Sequence, residues 1–251
     1  MAIHDETRSN WIARFKPSPQ ARLRLLCLPF AGGATSIYRG WASALPPSVE
    51  LCIAQLPGRE SRWREPALTR VSPLVEALVE ATKPLSDKPL ALFGHSMGAL
   101  VAFELARALE QTASFGPMVL IASGRRAPHL PKRSRVHDLP EEQLVEHLRR
   151  INGTPAEVLE NEELMRLVLP TLRADLAVDE TYEHREGLPL GCPLVALGGQ
   201  VDPLAKAEAL QAWRRHTRGS FRAATCPGDH FFILSHRDWV LREVSQALSG
   251  V

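Results

Sequence analysis

One run of the chain carries the residue types of nucleophilic acyl chemistry. Leu90-Ala91-Leu92-Phe93-Gly94-His95-Ser96-Met97-Gly98-Ala99-Leu100 takes an apolar, strand-like stretch into Gly-x-Ser-x-Gly and straight on into a helix-forming stretch. A strand-to-helix turn this sharp holds the serine in a strained backbone conformation and exposes its Oγ above a sheet. Gly94 and Gly98 stand two residues either side of Ser96, where a side chain would collide with the turn. The following helix aims its N-terminal dipole at the same point, which favours developing negative charge. Ser96 is therefore the candidate nucleophile. The bland reading is a glycine-rich turn with an incidental serine, and it predicts no suitable acid and histidine downstream.

A hydroxyl is a poor nucleophile at neutral pH and needs a base. Nine histidines compete. His95 is adjacent to Ser96, so its ring should point elsewhere. His4 lies near the N-terminus, and His129, His137, His147 and His184 fall in or beside a long insertion. His216 ends a helical run, and His236 reads as a helix-surface residue. His230 follows the strand-like Ser220 to Thr225 through Cys226-Pro227-Gly228-Asp229, which places it at a strand's C-terminal end. Catalytic groups of doubly wound sheets gather at that edge, so His230 is the expected base. The orienting acid should lie between serine and histidine, on a loop after a strand. Asp202 in Leu197-Gly198-Gly199-Gln200-Val201-Asp202-Pro203 meets that demand. It also reads as a helix cap before a proline, and the two roles are compatible. Asp229 is badly placed to reach the Nδ1 of His230, and Asp175 and Asp179 belong to the insertion.

A tetrahedral intermediate needs donors for its oxyanion. The Met97 amide, directly after the nucleophile, should supply one. Phe30, in the loop Leu28-Pro29-Phe30-Ala31-Gly32-Gly33, is the choice for the second, with Ala31 next. The competing reading of that loop is an ordinary glycine turn.

The elements that must position these groups read as an α/β fold. Short apolar runs at Trp11 to Phe15, Leu23 to Leu28, Glu50 to Gln55, Leu90 to Phe93, Met118 to Ala122, Leu194 to Leu197 and Ser220 to Thr225 predict strands. Several are almost continuously apolar, as expected of strands covered on both faces. Pro73 to Ala81, Ala99 to Glu110 and Lys206 to His216 predict intervening helices, giving a mostly parallel, doubly wound sheet. From about 128 to 190 no strand is convincing. Helical patterns near Leu139 to Leu148 and from Glu162 to Leu176, the second interrupted near Pro170, predict a helical lid inserted in one domain spanning 1–251.

Composition sets limits. With 251 residues, 45% hydrophobic and 23% charged, the chain can bury a sizeable core. A net charge of +2 lacks the basic excess of a nucleic-acid binder. Cys27, Cys52, Cys192 and Cys226 form no CxxC pair, so neither metal nor redox site is expected. No signal peptide or membrane-length stretch is read, and a cytoplasmic location is expected. No pattern demands assembly, so a monomer is expected.

Taken together, five segments resemble the type II thioesterases of polyketide and nonribosomal peptide assembly lines. They are Leu28-Pro29-Phe30-Ala31-Gly32-Gly33, Gln55-Leu56-Pro57-Gly58-Arg59-Glu60, Phe93-Gly94-His95-Ser96-Met97-Gly98-Ala99, Gly198-Gly199-Gln200-Val201-Asp202-Pro203 and Gly228-Asp229-His230-Phe231-Phe232. They occur in family order and span nearly the whole chain. Phe30 stands where members often have histidine after the proline. The resemblance implies an α/β-hydrolase fold without a cofactor. Its substrate would be an acyl group on the phosphopantetheine arm of an acyl or peptidyl carrier protein, with aberrant or stalled chains removed. Leu144, Leu148, Leu164, Leu167, Leu172 and Leu176 are candidates to line an acyl chamber. The basic residues Arg125, Arg126, Lys132, Arg133 and Arg135 are candidates to meet an acidic carrier, or else form a solvated strip. A general carboxylesterase or lipase, an acyltransferase, and a non-catalytic carrier-binding scaffold remain open at this point.

Overall fold

The computed structural model describes residues 10–112, 116–131, 135–150, 159 and 161–250. The strands are β1 (Ile12–Ala13), β2 (Leu23–Leu28), β3 (Val49–Ala54), β4 (Leu90–His95), β5 (Val119–Ser123), β6 (Leu194–Gly199) and β7 (Phe221–Cys226). They form one sheet in the order β1-β3-β2-β4-β5-β6-β7. Only the edge strand β1 runs antiparallel, against β3. The chain winds outward in both directions from the junction of β2 and β4, and this is where open α/β sheets place their ligands.

The apolar runs are continuous because both faces are covered. In β2, Leu26 and Leu28 face one core while Leu25 and Cys27 face the other. In β4, Leu90 and Leu92 part company with Ala91 and Phe93 in the same way. Helices α2 (Val71–Thr82) and α3 (Met97–Thr112) cover the first face. The second is covered by the short α1 (Ser36–Arg39), with Tyr38, and by the C-terminal helices.

Between β5 and β6 the chain forms α4 (Glu141–Arg150) and α5 (Glu162–Glu180). Leu144, Leu148, Met165, Leu169 and Leu172 pack into a core of their own, which Ala31 touches from the loop after β2. Helix α5 runs through Pro170 without the expected interruption. Pro170 is exposed, so water can satisfy the carbonyl left unpaired one turn earlier. Leu164 and Leu167 do not line a chamber: they are 41% and 73% exposed on the opposite stripe of α5 from Met165 and Leu172.

After β6, the expected helix over Lys206 to His216 is α6 (Ala207–Gln211) followed by a 3₁₀ turn, Ala212–His216. The chain closes with α7 (Phe232–Ser235) and α8 (Arg237–Ser249). No helix among the described residues is long and apolar enough to cross a membrane.

Candidate active site

Ser96 follows β4 directly and has φ +54°, the left-handed region that non-glycine residues rarely enter. The strain is held by backbone bonds. Its amide donates to the Ser123 carbonyl at 2.8 Å, and its carbonyl accepts from the Ala99 amide at 3.0 Å. A Cβ on Gly98 would lie 2.2 Å from the Leu28 carbonyl oxygen, so glycine there lets the Ser96 turn meet the end of β2 main chain to main chain. Gly199 does the same for the two other loops, because a Cβ there would lie 2.2 Å from the Gly228 carbonyl oxygen.

Those contacts bring together residues more than a hundred positions apart. The Ser96 hydroxyl donates to His230 Nε2 at 2.9 Å. His230 Nδ1–H donates to Asp202 Oδ2 at 2.9 Å. The tautomer follows from the partners, since a carboxylate accepts and a hydroxyl can give its proton to the remaining nitrogen. His230 and Asp202 are 3% and 2% exposed, whereas Ser96 is half-buried. Asp202 Oδ1 accepts from the Leu204 amide at 2.7 Å, so the residue orients the imidazole and braces its own turn. That turn is not the start of a helix, because α6 begins only at Ala207.

The other candidates fall elsewhere. Asp229 accepts from the Phe231 amide at 2.9 Å. His236 precedes α8 and meets the Ser235 hydroxyl. His129, His184 and His216 cluster with one another, the first and last at 2.7 Å. His137 contacts Glu180. His4 lies outside the described residues. Phe30 turns its ring edge-on to His95 and Phe231, in the tight turn closed by the Gly33 amide on the Phe30 carbonyl at 2.8 Å. Met97 opens α3, where the first backbone amides of a helix have no partner within it. Among the described residues no group of three or more His, Cys, Asp or Glu is arranged to hold a metal ion.

The thioesterase domain family model matches residues 23–248. The chain belongs to the thioesterase family. Thioesterase PikA5 of Streptomyces venezuelae is 44% identical over 95% of this chain and 85% of its own length. A type II thioesterase from the borrelidin biosynthetic cluster, BorB, superposes with a TM-score of 0.87 at 40% identity, covering 95% of this chain and 97% of that one. Linear gramicidin dehydrogenase LgrE of Brevibacillus parabrevis is 43% identical, over 96% of this chain and 94% of its own. This thioesterase is a hydrolase of the α/β-hydrolase fold.

One residue of the thioesterase site escaped sequence reasoning. The His95 ring points away from Ser96, as expected, but it is fully buried beneath His230. Its Nε2–H donates to the His230 carbonyl at 2.9 Å, which leaves Nδ1 to accept from the Ser123 hydroxyl at 2.9 Å. Burial, then the neighbouring His230, hold its pKa well below 6.5, so the ring stays neutral and keeps this tautomer. Gly124 makes room for the ring, because a Cβ there would lie 2.4 Å from His95 Cε1; nothing in the sequence alone marks the pairing. The basic strip also needs correction. Arg125 is buried and paired with Asp179, so it cannot greet a partner. Arg135 is exposed, and Lys132 and Arg133 lie outside the described residues.

Proposed function

We propose that this thioesterase hydrolyses acyl groups from the phosphopantetheine arm of acyl or peptidyl carrier proteins, clearing aberrant or stalled chains in polyketide or nonribosomal peptide synthesis. The observation that carries the reading is the unbroken chain from Ser96 through His230 to Asp202, held on a strained elbow. BorB, a named type II thioesterase at 40% identity, supports the substrate class. His230 takes the proton of Ser96 as Oγ attacks the thioester carbonyl. The Met97 and Phe30 amides receive the oxyanion, and the C–S bond breaks to release the pantetheine thiol, which gains that proton. Water, deprotonated by His230, then attacks the acyl-serine ester and frees the carboxylic acid and Ser96. Asp202 stabilises the imidazolium formed in both halves.

In this reading the chain is one monomeric domain, with 128–190 as a helical lid over the site. Four free, buried cysteines fit a reducing cytoplasm. Ser96→Ala, assayed on acyl-carrier thioesters beside carrier-free thioesters and simple esters, should lose about 10⁴-fold or more in kcat without unfolding. Near-normal hydrolysis by that variant would end the serine reading. Equal rates on carrier-bound and simple esters would replace the substrate with a general ester.

A further inference from the structure

The segment Pro57-Gly58-Arg59-Glu60 marks the family resemblance, yet the chemistry described so far gives it nothing to do. We propose that Arg59, together with Asp175 on α5, is a positioning device that holds the oxyanion loop in register with Ser96 and locks the helical insertion onto it. The inference rests on the reading of Ser96 and the Phe30 amide given above.

The two side chains meet fork to fork. Arg59 Nη1 and Nη2 donate to Asp175 Oδ2 and Oδ1, each at 2.7 Å. They are 9% and 2% exposed. Each also grips the turn that Phe30 begins: Asp175 Oδ2 accepts from the Gly32 amide at 2.7 Å, and Arg59 Nη1 donates to the Gly33 carbonyl at 2.9 Å. Two successive residues of the turn are thus held through opposite ends of their backbone dipoles by one ion pair. Glu60 extends the grip. Its Oε2 accepts from the Thr35 amide at 3.2 Å and hydroxyl at 2.5 Å, and its Oε1 accepts from the Ser36 amide at 3.2 Å. The loop is therefore pinned where it leaves for α1.

The other half of the device reaches α5. The Thr171 hydroxyl donates to the Gly58 carbonyl at 2.8 Å, one helical turn before Asp175 on the same helix face. A Cβ on Gly32 would lie 3.2 Å from Leu172 Cδ1, so the helix rests directly on the loop. A buried ion pair is a weak source of stability, because desolvation offsets the attraction. A bidentate guanidinium–carboxylate pair is, however, a stiff one. An oxyanion donor must sit within hydrogen-bond reach of where charge develops, and small displacements are costly.

The test compares Arg59→Met and Asp175→Asn with Arg24→Met, which breaks a buried pair at the opposite end of the sheet. Each full-length variant is assayed for kcat and KM on a short acyl-pantetheine thioester, for Ser96 labelling by a fluorophosphonate, and for thermal stability. Arg59→Met should lower kcat and the labelling rate about 10- to 100-fold with KM within about threefold. The pH at half-maximal kcat should not move, because His230 and Asp202 are untouched. Arg59→Lys keeps the charge without the fork and should recover part of kcat. Arg24→Met should lose stability with kcat within about twofold of wild type. A folded Arg59→Met with kcat within about twofold of wild type overturns the proposal. So does a kcat loss that Arg24→Met reproduces at equal loss of stability. Should Arg59→Met not fold, Asp175→Asn decides on the same criteria. Ser96→Ala run alongside separates the two readings: activity there removes the serine itself, whereas a dead Ser96→Ala beside a fully active Arg59→Met removes only the positioning role.

Discussion

Two buried guanidinium–carboxylate pairs stand at opposite ends of the parallel strands. At the N-terminal ends, Arg24 Nε donates to Glu50 Oε2 at 2.9 Å, and its Nη1 donates to the Leu85 carbonyl at 2.9 Å and to Asp87. At the C-terminal ends, Arg59 meets Asp175. The chemistry is the same and the connectivity is not. Arg24 and Glu50 are register partners on neighbouring strands, so their pair reinforces a contact the sheet already makes. Arg59 and Asp175 are 116 residues apart and join two segments that no strand pairing aligns. The first pair adds to an alignment the strands already fix. The second governs how loops stand relative to one another, at the edge where chemistry happens.

That contrast breaks if damage at the reactive edge shows up as instability rather than lost rate. After Ser96→Ala, the largest effect belongs to Asp202→Asn, which should cost about 10³- to 10⁴-fold in kcat by stabilising the wrong His230 tautomer. Steady-state kinetics beside a thermal melt checks it, and the melt should scarcely move. Arg24→Met should do the opposite, costing about 3 kcal/mol in a denaturant titration while the folded fraction turns over normally. Arg14 also donates to Glu50 at 2.8 Å and keeps that carboxylate from being stranded. Burial pushes the Glu50 pKa up, but hydrogen bonds from Arg14 and Arg24 outweigh it and hold the group below 4.5. The smallest effect sharpens the comparison in acid, at a third place. Burial first, then His129, His184, Arg215 and Arg107, push His216 from 6.5 down to about 3. Between those values the unfolded chain binds a proton that the folded chain refuses. Stability should therefore fall as pH drops from 6.5 toward 3. His216→Gln should weaken the dependence of Tm on pH in that window, leaving the losses through His95, His129 and His184 below 6.5 and through Glu50 below about 4.5.

The legible parts of the sequence were those written locally. Continuous apolar runs announced β2, β4, β5 and β6 to within two residues, because a strand covered on both faces leaves no polar alternation. The meeting of Ser96, Asp202 and His230 was legible because each sits just past a strand end, a position that turn residues mark. The Trp11 to Phe15 strand shrank to Ile12–Ala13, as an edge strand needs only one neighbour. What stayed hidden depends on distant residues meeting. Nothing near Asp175 distinguishes it from Asp179, yet one is sealed against Arg59 and the other reaches Arg125. His95 could be excluded as base, but its hold on the His230 carbonyl needed the two loops in place. The course of α5 through Pro170 was hidden too, because a proline's cost depends on whether water reaches the freed carbonyl.

The contacts at Gly98 and Gly199 have a consequence for how this enzyme tolerates change. The loops bearing Ser96, Asp202 and His230 touch through peptide groups, and only glycine at 98 and 199 lets them come so close. Substitutions elsewhere on the outer surfaces of these loops leave those main-chain contacts in place, and with them the spacing of Ser96, Asp202 and His230.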